Sequence, residues 1–149
     1  MKAFPIKKIN LDKSDKERQV RRNKLELQRS VIGGDEFSYV EICNPLKSGC
    51  IYEINNLNLK IKNNNKLILS IGESILNRHV AKDLETNIIG ELKEDTSMEL
   101  LNIQMNKDEF ISILDNYSII LLPGGSIFLK TMKPIDEIMI DMEWTEEQL

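Results

Sequence analysis

From Phe37 onward the chain is cut into short apolar runs that alternate with period two, punctuated by Gly, Pro, Asn and Asp. A side-chain repeat of two belongs to a pleated strand, whose successive Cβ atoms point to opposite faces, whereas a helix repeats at about 3.6 residues. The clearest case lies near the C-terminal end. There Ile138, Ile140, Met142 and Trp144 alternate with Met139, Asp141 and Glu143, the pattern of a strand with one buried face. The same reading predicts strands at 37–43, 50–62, 66–71, 86–93, 98–105, 109–114, 117–122, 126–132 and 136–144. So many strands in roughly 110 residues require two packed sheets, which makes the expected fold class mainly β, an antiparallel β-sandwich.

Composition agrees. A chain of 149 residues with 41% apolar content fills one hydrophobic core without disulfides or metals. Its only alanines are Ala3 and Ala81, so the core is built from β-branched and leucine side chains, which suit strands.

Three turns carry identifiable chemistry. In Asn44-Pro45-Leu46-Lys47-Ser48-Gly49 the Asn44 side chain is expected to bond its own backbone two residues on, Pro45 to stop the ladder, and Gly49 to free the backbone for re-entry. Pro123-Gly124-Gly125 predicts a type II turn, with Pro123 presetting φ and Gly124 supplying the positive φ that follows. Lys62-Asn63-Asn64-Asn65, flanked by Leu57, Leu59, Ile61 and by Leu67, Leu69, Ile71, is a hairpin signal. Residues 73–85 suit either a short helix or a crossing loop.

The first thirty residues differ from the rest in charge. Residues 1–30 hold ten Lys or Arg against four Asp or Glu, and the remainder holds ten against twenty. We therefore divide the chain into a basic N-terminal arm, 1–34, and a β-domain, 35–149. Within the arm, Ser14-Asp15-Lys16-Glu17 has capping-box form and predicts a short helix running towards Arg29, although Val20, Leu25 and Leu27 give it a thin apolar stripe. Gly33-Gly34 ends that helix. Arg18, Arg21, Arg22, Lys24 and Arg29 are expected to form a partner-binding surface, with a plain solvated helix as the alternative. Interleaved Asp12, Asp15, Glu17 and Glu26, and the lack of aromatic residues for base stacking along the basic segment after Phe4, favour a protein partner over nucleic acid.

Residues equipped for catalysis are scarce. His79 is the single histidine, and a surface or packing role is favoured over that of a general base. Asp and Glu are scattered without pairing. Pro123-Gly124-Gly125-Ser126 lacks the spacing of a phosphate loop. Cys43 and Cys50 have no histidine beside them to complete a zinc site and read as buried apolar residues, with a disulfide as the alternative. The expectation is a non-enzyme with no cofactor and no metal.

The stretch from Val40 to Ile54, with its Asn44-Pro45 turn and Ser48-Gly49 before a resuming strand, resembles a pattern in phage structural proteins. Leu122-Pro123-Gly124-Gly125 and the terminal Trp144-Thr145-Glu146 are similar to that group as well. The likeness spans about residues 35–147 in the order of turns and leaves the arm unmatched. It implies a jelly-roll-like sandwich in a capsid-, neck- or tail-associated accessory protein, homo-oligomeric and acting by assembly with other virion proteins. The alternatives are a carbohydrate- or receptor-binding module of a fibre, with Tyr39, Tyr52 and Tyr117 as candidate platforms, and a subunit of a bacterial surface appendage. No run approaches the roughly 20 apolar residues of a membrane span, and the N-terminus lacks a secretory apolar core. The expected location is the virion, after synthesis in the host cytoplasm.

Overall fold

The computed structural model describes residues 1–8, 24–74, 83–89 and 96–149, with the backbone alone over 24–31. Its elements are β1 (Ala3–Lys7), β2 (Lys24–Cys43), β3 (Cys50–Ile61), β4 (Asn65–Glu73), β5 (Glu85–Ile89), β6 (Met98–Met105), β7 (Ile111–Ser112), β8 (Tyr117–Leu121) and β9 (Gly125–Gln148). All nine join a single antiparallel sheet, and there is no helix among the described residues.

β9 is the axis of the sheet. On one side it pairs with β2, from Lys24 opposite Glu146 to Cys43 opposite Ser126. On the other it pairs first with β4, over 125–131, and then with β3, over 138–148. β3 and β4 therefore run head to tail along β9 and do not pair with each other. The Asn-rich segment 62–64 is a corner, not the reversal of a hairpin. The ladders are interrupted at one level: β2 changes register between Gly33 and Tyr39, residues 131–134 of β9 have no partner on β2, and β9 passes there from β4 to β3. Asn65 ties this corner, its side-chain amide donating to the Lys133 carbonyl (2.8 Å) and accepting from the Lys133 N–H (3.0 Å) as a strand backbone would. Pro134 falls inside β9 where no ladder bond is required, which is why strands expected at 126–132 and 136–144 are one element.

The corner divides the sheet into two halves. Residues 125–131 of β9 centre the first, with β4 and β6 on one flank and residues 39–43 of β2 with β5 on the other. Residues 138–148 centre the second, with β3, β8 and β1 on one flank and residues 24–33 of β2 on the other. Side chains from both halves form one core, including Val40, Ile42, Leu67, Leu69, Ile127 and Leu129 from the first and Tyr52, Leu59, Ile119, Ile138, Ile140 and Met142 from the second. A bulge at Asn55 re-phases β3, so its buried set passes from Cys50, Tyr52 and Ile54 to Leu57, Leu59 and Ile61.

The arm departs from expectation. Residues 3–7 are strand β1, held on β8 and fixed further by the Leu122 N–H donating to the Lys2 carbonyl (2.9 Å). Residues 24–29, expected to be helical, are strand, because Leu25, Leu27 and Val31 alternate with Glu26, Gln28 and Ser30 and a partner ladder is available on β9. The capping box itself, at 14–17, lies outside the described residues. Gly33 and Gly34 belong to the β2 bulge and are no linker, so the boundary expected at 34/35 falls inside a strand. Of the segment 73–85, residues 75–82 lie outside the described residues, as do 90–95 of the strand expected at 86–93.

Candidate functional site

In the second half-sheet one face is buried and the other carries polar residues such as Asn58, Lys60, Asp141 and Glu143. The first half-sheet buries one face fully and much of the other. Its outer face presents Tyr39, Glu41 and Cys43 from β2 beside Ser126, Phe128 and Lys130 from β9, with Ile68 and Ser70 from β4 next in register. Phe128, Cys43 and Ile89 are buried there outside the main core cluster.

Glu41 has no exposed surface. Its Oε1 accepts short hydrogen bonds from Ser126 Oγ (2.5 Å) and Ser74 Oγ (2.6 Å), while Oε2 is buried without a hydrogen-bond partner among the described residues. The Cys43 thiol shares this surrounding. Burial pushes its pKa up, opposed in part by hydrogen bonds to Ser74 and Ser126. A buried, protonated thiol is a weak nucleophile, so the cluster ties β2, β4 and β9 together and does not resemble an activated cysteine centre.

Beside it a cleft of about 170 Å³ opens between β2, β9, β4 and β6. Phe128 and Ser70 form its buried floor, and Ser97 Oγ donates to Ser70 Oγ (2.9 Å). Tyr39 and Ile68 make apolar walls, and the Lys130 ammonium sits 5.5 Å from the centre of the Tyr39 ring, within cation–π range. Glu99 stands exposed at the rim.

The two turn motifs meet at another place. Asn44 is fully buried, and its Nδ2 donates to the Cys50 carbonyl (2.9 Å) and the Leu121 carbonyl (2.8 Å). Its backbone N–H donates to the Gly125 carbonyl (2.9 Å), and its carbonyl accepts from the Gly124 N–H (2.7 Å). The side chain thus bridges β3 and β8 and does not bond its own turn as expected. Pro45 and Ser48 close their turn through Ser48 N–H to the Pro45 carbonyl (3.1 Å), and Gly49 follows at φ +68°. Pro123 and Gly124 make the expected type II turn, with Gly124 at φ +86° and the Gly125 N–H donating to the Leu122 carbonyl (2.8 Å).

Cys50 lies near this joint, and both cysteines are buried free thiols, with no bond joining Cys43 to Cys50 within the chain. Cys50 Sγ donates to Glu146 Oε1 (3.0 Å), and that bond together with burial raises the thiol to about 11. Burial likewise pushes Tyr52 up to about 12, removing it as an exposed platform. Tyr117 is exposed and Tyr39 is half-buried in the cleft. Of the arm residues, Lys24 and Arg29 lie opposite Glu146 and Asp141 across the β2–β9 ladder. Arg18, Arg21, Arg22 and His79 lie outside the described residues.

Sequence reasoning missed Glu41 and the cleft. The signal was present: Glu41 sits in a run, Tyr39 to Cys43, that is apolar on both parities, as a strand covered on both faces would be. Among the described residues no three His, Cys, Asp or Glu are placed to hold a metal, and no helix is long and apolar enough to cross a membrane. Comparison with known proteins gives no matching family model, no matching curated protein and no matching solved structure.

Proposed function

We propose that the chain is a structural subunit of a phage virion or phage-like particle, acting by protein–protein assembly and not by catalysis, with its bent sheet arranged as a jelly-roll-like sandwich. One observation carries the reading. Residues 24–33 of β2 have β9 as their sole ladder partner among the described residues, and the far edge of this ten-residue strand, which no described strand covers, offers a ladder to another chain. Such an edge is a template for strand addition unless it is blocked. The edge at β1 is short and carries Pro5 with Lys7, and β5 is five residues long, whereas 24–33 contains no proline. The basic character of residues 1–30 against the acidic remainder adds a charge-matched approach between copies.

The test uses the alternation of N–H directions along a strand. Of Leu27→Pro and Gln28→Pro, one removes a ladder bond to β9 and the other removes a donor from the open edge. The variant that keeps its thermal stability is expected to remain monomeric by light scattering where the parent forms oligomers, and to be lost from purified particles. Oligomers and particle incorporation unchanged in that variant would overturn the assembly reading.

A further inference from the structure

Beyond assembly, we infer that the cleft on the outer face of the first half-sheet binds one neutral polyhydroxylated ring, a single hexose residue, and that Glu99, Lys130, Ser70 and Ser97 are its polar contacts. Size sets the first limit. A cavity of about 150 Å³ encloses benzene, and a hexose is bulkier by its ring substituents, so the cleft of about 170 Å³, open at its rim, seats one such ring with its outer hydroxyls in solvent. Chemistry sets the second. Phe128 gives an apolar floor against which the C–H face of a sugar can lie, and Ile68 closes one side. Ser70, a residue 6% exposed, accepts at Oγ from Ser97 and keeps its own O–H to donate into the cleft.

The rim selects among rings. An apolar ring would keep the Ser70–Ser97 bond but cover the Ser70 O–H with nothing to accept from it, which is costly. An anionic ring would meet the Glu99 carboxylate, and a cationic one the Lys130 ammonium, whose place over the Tyr39 ring fixes a positive charge at that wall. A neutral polyol takes both, accepting from Lys130 and donating to Glu99. The cleft is built from β2, β4, β6 and β9 and does not involve the open edge at 24–33, so ligand binding and assembly are separable.

Saturation-transfer NMR on the full chain, with glucose, galactose and N-acetylglucosamine as probes and benzoate as the anionic control, tests this. At least one sugar is expected to bind with millimolar affinity while benzoate does not. Glu99→Gln with Lys130→Met, both at the rim, should weaken that binding about tenfold with amide dispersion unchanged. A glycan array then distinguishes a free sugar from the terminal residue of a chain. Absence of transfer to all three sugars, or binding unaltered in the double variant, would overturn the assignment.

Discussion

Replacing Asn44 tests whether the joint between the two turns rests on side-chain donors. In Asn44→Ala the buried carbonyls of Cys50 and Leu121 both lose a partner, and each such loss costs about 1–3 kcal/mol. Asn44 Oδ1 is itself buried without a partner, and its removal returns a comparable amount for one group, leaving a net loss of about 1–3 kcal/mol. Asn44→Asp keeps the shape and the orphaned oxygen but turns the donor into an acceptor facing two carbonyls, so it should cost more than alanine, by about 3 kcal/mol or more. Urea unfolding followed by far-ultraviolet circular dichroism reads both values from the shift in midpoint. If the aspartate variant is as stable as the alanine variant, the two donated bonds do not hold the joint and the reasoning fails.

Gly125→Ala should lower the melting temperature by about 10 °C, because a Cβ there would lie 2.1 Å from the Lys2 carbonyl oxygen, and an overpacked backbone contact costs about 3 kcal/mol; calorimetry decides. Asn65→Ala removes the corner's bonds to Lys133, but that residue is exposed to water, so a loss of only about 1–2 kcal/mol is expected in the same urea assay. Alkaline stability follows from Cys50 and Tyr52, raised from 9.0 to about 11 and from 10.0 to about 12. In each window the unfolded chain has released a proton that the folded one retains, so their stabilisation is complete below pH 9 and is lost as pH climbs through 11 to 12. Cys50→Ala with Tyr52→Phe should flatten that decline, and an unchanged slope would refute it. Both native thiols should react with a disulfide reagent far more slowly than in urea, since both are buried.

Strand positions were legible because period two is a local property. Residues 98–105 were located to the residue, and 50–62, 66–71 and 117–122 within a residue or two of β3, β4 and β8. Partnership was not, because it depends on segments far apart. The Asn run at 63–65 satisfies a hairpin and a corner equally well, and only the length of β9 decides between them. The segment at 24–29 has enough charge and too few apolar residues to resemble an exposed helix, yet an available ladder outweighs its weak helical preference. Asn44 has the local signature of a turn former, whereas its two carbonyl partners come from strands 6 and 77 residues away. Glu41 was invisible for the same reason: Ser74 and Ser126 reach it only once β2, β4 and β9 are in register.

The axial place of β9 carries a cost in time. It follows every other strand in the chain, yet β2, β3 and β4 all complete their ladders on it. During synthesis those three emerge with hydrogen-bonding edges that have no mate until residues 125–148 leave the ribosome, and the loops to be closed then span most of the chain. Such a polypeptide folds late and all at once, and its half-made state is one of open strand edges, the condition most prone to pairing with another copy. Chains stalled or nicked before Gly125 are therefore expected to aggregate and not to accumulate as soluble fragments.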